Sequence, residues 1–313
     1  MADPVELRVP EALDGERLDL ALARLFGVSR AVAAGLVTGG VVLDGSVATG
    51  STRVRTGQVI VAEPPSAAAS LAPEAMDIDV LYEDEHLVVV DKPAGMVVHP
   101  GSGRSGGTLA AGLIHRYPEL VGVGAEGRWG LVHRLDKDTS GALLVARDQP
   151  TFDEVVAMLR RREISRTYTA LVEGRMGAPT GTIEAPIGRD PIRPTRRAVT
   201  PTGKHARTHF EVVRHYGAAD ASLLEVELET GRTHQIRVHM AAVGHPVAGD
   251  LAYGATRRDL GSPRTFLHAS RVELTHPVTG ERLTVTSPLP DDLAGVLARL
   301  EAAYGSESDS VGS

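Results

Sequence analysis

The sequence predicts an α+β protein with a mixed, mainly antiparallel sheet, and three observations carry that expectation. Short Leu/Val-rich runs, LVVV at 87–90 and GALLVA at 141–146, read as buried strands, and TYTALVE at 167–173 as another. SLLEVELET at 222–230 alternates, with Leu224, Val226 and Leu228 on one face and Glu225, Glu227 and Glu229 on the other. That is the pattern of an antiparallel strand with one wet face. Helical spacing separates these runs at 108–116, 150–162 and 233–243, the last stopped by Gly244.

Along the chain, residues 1–12 read as an N-terminal segment and 13–62 as a small module. Leu18, Leu22 and Leu25 recur at helical spacing, Ser29 can cap a second short helix, and Asp44-Gly45 makes a hairpin turn in VVLDGSV. Residues 63–75, rich in Pro, Ala and Ser, read as a linker, 76–303 as the main body, and 304–313 as a disordered tail.

Composition narrows the classes. The 313 residues carry ordinary hydrophobic (42%) and charged (23%) fractions, enough for a large domain and a small one. No run is apolar for the eighteen or so residues of a membrane span, and the N-terminus lacks the basic-then-apolar order of a signal peptide, so a cytoplasmic protein is expected, with a monomer as the default. There is no Cys, which removes disulfides, thiolate nucleophiles and Cys-based zinc sites. Net charge is −7, yet Met158 to Arg214 holds twelve Lys/Arg against five Asp/Glu, a basic stripe able to meet a polyanion. Thirty of the 33 basic residues are Arg, which suits phosphate forks; a GC-rich coding sequence gives the same ratio.

Several motifs are decoys. In DKDTSG, Asp136, Asp138, Ser140 and Gly141 fall at calcium-loop positions, but Arg147 stands where a bidentate Glu is required. GSGRSG at 101–106 matches a dinucleotide fingerprint without the following strand and acidic residue. His234, His239 and His245 are spaced around and past a helix with no carboxylate at ligand spacing, so structural or RNA-contact roles are expected. What remains is HRLD at 133–136. Asp136 either closes a turn through its own backbone, a job Asp138 and Ser140 can also do, or points outward as a lone carboxylate among cations.

HRLDKDTSGALLVA resembles the central motif of the RluA/RluD-type pseudouridine synthases. YEDEHLVVVDKPAGMVVHPG (82–101), TYTALVEG (167–174), LETGRTHQIRVHMAAVGHPVAGDLAYG (228–254) and FLHASRVELTHP (266–277) are similar to the family's other motifs, in the same order. The order R-L-D-x-x-L, S-R and a V-x-D-G hairpin in the first module resembles the S4 RNA-binding module, and an S4-like module before the body matches the RluD-like branch. The second helix of that module carries only Arg30 as a basic residue, and Arg166 stands where relatives usually carry Lys.

The resemblance implies an isomerase that converts uridine to pseudouridine in RNA, with no cofactor and no metal. It implies 23S ribosomal RNA as the partner, with tRNA as the alternative, and a non-catalytic RNA-binding or ribosome-assembly factor on the same fold as the rival class. Asp136 would be the essential aspartate, as nucleophile or as base toward the ribose. Arg232 would pair with it and keep it ionised. Tyr168 would flank the target base, Leu267 would form the opposite apolar wall, Arg134 would enter the gap left by the flipped nucleotide, and His133 would line the same substrate site.

Overall fold

A computed structural model describes residues 4–26, 30–64, 71–99, 106–124, 127–193 and 195–304. Ser29, most of GSGRSG and all but the first residue of the expected tail lie outside the described residues, as does the side chain of Arg30.

The small N-terminal unit is a four-stranded sheet with two helices. Its elements are β1 (Val5–Arg8), α1 (Leu18–Phe26), α2 (Arg30–Thr38), β2 (Val42–Leu43), β3 (Ser46–Val47) and β4 (Val59–Ala62). The antiparallel order β1-β4-β2-β3 makes Val5–Arg8 a partner of β4, so the unit starts at residue 5 and not at 13. A segment with alternating half-buried and exposed residues completes the sheet edge instead of standing apart. Leu18 and Leu22 are fully buried with Ile60 and Val54. The β2–β3 turn has Asp44 at φ 46° and Gly45 at φ 82°, the positive pair that a two-residue hairpin turn needs. The Asp44 carboxylate accepts from Val59 N at 2.8 Å and Gln58 Nε2 at 2.9 Å, locking the turn onto β4.

The body adds β5 (Asp79–Glu83), β6 (Leu87–Lys92), α3 (Leu109–Arg116), β7 (Ser140–Ala146), α4 (Gln149–Arg161), β8 (Ser165–Glu173), β9 (Thr180–Glu184), β10 (Ile187–Arg189) and β11 (Arg197–Val199). It continues with β12 (Arg207–Tyr216), β13 (Ala221–Leu228), α5 (Gln235–Ala242), β14 (Leu267–Thr275), β15 (Arg282–Thr286) and α6 (Asp291–Tyr304). A nine-stranded sheet runs β5-β6-β7-β14-β8-β13-β12-β9, with β15 also on β14. Only the β7–β14 pair within it is parallel, which makes the sheet mixed and mainly antiparallel. Every residue of β7 is buried, as its unbroken apolar run requires between two covered faces. On β13, Leu224, Val226 and Leu228 are buried while Glu225 and Glu227 are exposed.

Local chemistry sets the helix ends. Thr108 caps α3 by accepting from Ala111 N, and Asp148 caps α4 by accepting from Thr151 N at 2.8 Å. Helix α5 ends with Gly244 at φ 87°, where His245 N reaches Met240 O at 2.9 Å and Gly244 N reaches Ala241 O at 3.1 Å. The end of the expected linker, from Leu71, is docked rather than free. Leu71 is buried in the core of the body, and Glu74 bonds Ala111 O through its N–H and accepts from Gly107 N at 2.6 Å.

Candidate active site

A cleft of about 700 Å³ opens where the segment leading into β7, the face of β8 and the start of α5 meet. Its lining includes His133, Arg134, Asp136, Tyr168, Arg232 and Leu267, every residue the sequence nominates. The HRLD segment reaches it through two tight passages. A Cβ on Gly130 (φ 73°) would lie 2.1 Å from Ala146 O, and one on Gly141 (φ 115°) would lie 2.3 Å from Ala269 O. Only glycine permits both the approach and the backbone.

Asp136 closes the turn after it with its backbone, accepting from Thr139 N at 3.2 Å, and this leaves its carboxylate for the cleft. Ser140 is committed elsewhere, its hydroxyl 3.0 Å from His268 Nδ1, and Asp138 offers its carbonyl to Arg264 at 2.9 Å. Lys92 braces the same turn. It is wholly buried, and its ammonium donates to the carbonyls of Pro93 (2.7 Å), Met96 (2.9 Å) and Lys137 (3.1 Å). Burial pulls its pKa down to about 8, against the pull of Asp138 and Asp136.

The partner of Asp136 is Arg237, not Arg232. Arg237 Nη1 donates to Asp136 Oδ2 at 3.1 Å, while its Nε and Nη2 form a fork to Asp250 at 2.6 and 2.9 Å. The guanidinium also lies 4.9 Å from the Tyr253 ring centre. Burial works against this cation, but the bonds to Asp250 and Asp136 hold its pKa above the usual arginine value. Arg232 comes before the helix begins. It is exposed on the rim of the cleft, and its Nε donates to His205 O at 3.0 Å. Gln235 fixes that approach, accepting from Arg232 N at 2.9 Å and from Thr230 Oγ1 at 2.8 Å and donating to Arg207 O and Thr208 Oγ1, both at 3.0 Å.

Sequence reasoning missed Arg237, Asp250 and Tyr253, and placed His234 only among residues of structural or RNA-contact role. Asp250 is 1% exposed and exists to hold Arg237. His234, at φ 59°, places Nδ1 2.6 Å from the Tyr253 hydroxyl and Nε2 3.9 Å from Asp136 Oδ1. Burial lowers its pKa, and Asp136 opposes the shift. All four lie in the stretch GRTHQIR…GDLAYG, and the detectable signal was a second arginine on the inward face of α5. His239 and His245 are structural: His239 is buried against Thr208 and Ala185, and His245 bonds Glu173 O.

Tyr168 and Leu267 face the cleft from neighbouring strands, 5% and 4% exposed, with Leu267 paired in register to Ala170. Burial raises the pKa of Tyr168, with Asp136 adding to the shift and Arg166 opposing it. Arg134 is exposed at the mouth with Arg128, Arg160 and Arg162. Part of the basic stripe is neutralised on the surface: Arg161 meets Glu154 and Glu163, Arg162 meets Glu229, Arg207 meets Glu184, and Arg214 meets Glu301. Arg128, Arg134 and Arg160, at the mouth of the cleft, enter none of these pairs. Among the described residues, no group of three or more His, Asp or Glu could hold a metal ion.

Residues 86–242 match a family of RNA pseudouridylate synthases. A ribosomal large subunit pseudouridine synthase D from Nitrosomonas europaea is 45% identical over 94% of this chain and 87% of its own. A protein of the same name from Escherichia coli is 38% identical over 99% of each. Among solved structures, human RNA pseudouridylate synthase domain containing 1 overlays 74% of this chain and 95% of its own, at 28% identity and a TM-score of 0.55. No helix among the described residues is long and apolar enough to cross a membrane.

Proposed function

The chain belongs to the RNA pseudouridylate synthase family and is an RNA isomerase; from that premise we propose that it converts uridine to pseudouridine in 23S ribosomal RNA, using Asp136 and no cofactor. The relatives named for the ribosomal large subunit support that substrate. The observation that carries the catalytic assignment is a cleft carboxylate, 15% exposed, aimed by a buried arginine that is itself fixed by Asp250, whereas Glu229, which also lines the cleft, is taken up by Arg162, Arg207 and His209.

Detaching uracil leaves C1′ with oxocarbenium character, which an adjacent anion stabilises. Asp136 serves as that anion, as nucleophile or as base toward the ribose, and Arg237 keeps it ionised and directed. The flipped base lies between Tyr168 and Leu267, and Arg134 occupies the gap it leaves. Flipping costs a few kcal/mol, and an aromatic stack returns roughly 1–3 kcal/mol per base. The narrow apolar walls exclude water, so the uracil rejoins through C5 instead of being lost. Arg232, on the rim, meets backbone phosphate. The N-terminal unit, with its helices beside a hairpin sheet, acts as an S4-like RNA-binding module.

Mapping pseudouridine in total RNA with and without the gene tests the substrate. The expected loss is at a uridine in a structured loop of 23S RNA. Loss confined to tRNA would overturn the ribosomal assignment, and free uracil as product of the purified protein would make it a C–N glycosidase.

A further inference from the structure

We propose that His133 Nδ1 and Arg166 Nε form a two-donor subsite that holds a carbonyl oxygen of the target base before and after it turns, and that selects uridine over cytidine. The proposal rests on the isomerase site described above and adds to it the groups that read the base.

His133 stands in the cleft wall with its imidazole against β7, where Leu144 N donates to its Nε2 at 3.0 Å. A ring nitrogen that accepts carries no proton, so in the neutral ring the proton sits on Nδ1. Nδ1 is buried and has no hydrogen-bond partner among the described residues. Burial, helped by the nearby charge of Arg166, lowers the pKa of His133 to about 3, so the ring stays neutral and Nδ1–H remains a donor at working pH. Arg166 is 7% exposed. Its Nη2 donates to Leu228 O at 3.2 Å, but its Nε is buried without a partner. Gly231 leaves space for this guanidinium, since a Cβ there would lie 2.9 Å from Nη1. Folded proteins rarely leave buried donors unmet, and here two belong to side chains lining one cleft.

Their position fits one edge of the base. Arg166 and Tyr168 are two residues apart on β8 and share a face, and Tyr168 feels both Arg166 and Asp136. With C1′ at Asp136 and the ring along Tyr168, the edge remote from the sugar meets Arg166 and His133. In uridine that edge carries O4. Isomerisation breaks N1–C1′ and forms C5–C1′; C5 loses its proton and N1 gains one. The exchange of N1 with C5 is a half-turn of the ring about its C6–N3 axis, and the same half-turn exchanges O2 with O4. One fixed donor pair therefore meets a carbonyl oxygen in both orientations. Cytidine would present an amino group to the same two donors, donor against donor, and be refused.

The test uses the full chain and a stem-loop carrying the mapped uridine, made with uridine, 2-thiouridine or 4-thiouridine at that one position. Sulphur is a weak acceptor, so single-turnover isomerisation by the wild type should slow on the order of tenfold with either thio base. In His133→Leu and Arg166→Met that sulphur penalty should shrink toward one, because the donor it probes is gone. His133→Gln, which keeps an acceptor for Leu144 and a donor for the base, should restore both rate and penalty. Comparing penalties cancels the intrinsic effect of sulphur on the chemistry, and the wild-type arm does not depend on how well a variant folds. Thio substrates that react like uridine, or a penalty unchanged in both variants, would overturn the subsite alone. A wild type that isomerises none of the three would overturn the underlying reading with it.

Discussion

Replacing Arg237 with Met should both stop turnover and loosen the fold, and the structure sets the size of each effect. The variant keeps an apolar stem to pack on Tyr253 but removes the fork to Asp250 (2.6 and 2.9 Å) and the bond to Asp136 (3.1 Å). Asp250, 1% exposed, is left with the backbone N–H of Ala252 at 3.2 Å. Breaking a buried pair by removing one member costs about 3–5 kcal/mol, and the surviving bond puts the expectation near the lower end. Asp250→Asn added to Arg237→Met should recover much of that loss, since the stranded charge is its main source. Turnover should fall on the order of a hundredfold or more, the usual result of removing an electrostatic partner of the reacting group. Arg237→Lys should also fail, because one ammonium cannot serve a forked carboxylate and a second acid together. Arg232→Met, exposed and with one bond to His205 O at 3.0 Å, should cost below about 1 kcal/mol. Urea unfolding and single-turnover pseudouridine formation read the two effects separately. If Arg232→Met is inactive at unchanged stability while Arg237→Met turns over, the pairing drawn here is not the one that works.

Asp136→Asn should abolish isomerisation while leaving the urea midpoint and RNA affinity near wild type, since it keeps the shape of a side chain with one bond to Arg237; activity above about one per cent would remove Asp136 from the chemistry. Stability should fall as pH drops from 6.5 toward 5. Buried His133, held near 3 when folded, takes up a proton only when unfolded, a slope approaching 1.4 kcal/mol per unit below pH 6.5. His99, held near 4, adds to that slope, and His133→Gln should remove only the His133 share of it in urea titrations across that window. Gly141→Ala should be among the most destabilising single-methyl changes, as both φ 115° and the 2.3 Å approach to Ala269 O oppose it; a melting point within a degree of wild type would contradict this. A chain beginning at Leu71, which keeps the docked residues Leu71 and Glu74, should retain the chemical step but bind RNA with a shallower salt slope. Each lost phosphate contact removes a little under one unit, and an unchanged slope would make the N-terminal unit structural.

The body was legible in the sequence because its elements state themselves locally. A short unbroken apolar run after a polar turn reads as a strand covered on both faces, and β7 is buried throughout. The alternation of β13, the Asp44-Gly45 turn and the Gly244 stop each carry their geometry within a few residues. The N-terminal strand was missed for the opposite reason: VELR gains its partner from Val59–Ala62, more than fifty residues away, and alone is too short to read.

The same distinction explains the site. Asp136 was visible through the HRLD motif, its residues alone leaving a turn-closing role open; in the fold Ser140 is taken by His268 and the turn is closed by backbone, which frees the carboxylate. Its partner was not visible, because GRTHQIR offers two arginines and a linear motif does not say where the helix starts. Five residues at 100° each set two helical side chains about 140° apart, so both could not have faced Asp136 from one helix. The chain resolves the choice by delaying the helix to Gln235, which leaves Arg232 on the rim and Arg237 inside. Counting charge failed in a related way. The excess over 158–214 is real, but Arg161, Arg207 and Arg214 spend theirs on glutamates that include Glu301 from the last helix. A sequence tallies charges; only folding assigns their partners. Arg128, Arg134 and Arg160 at the cleft mouth enter none of those pairs, which leaves them available to phosphate.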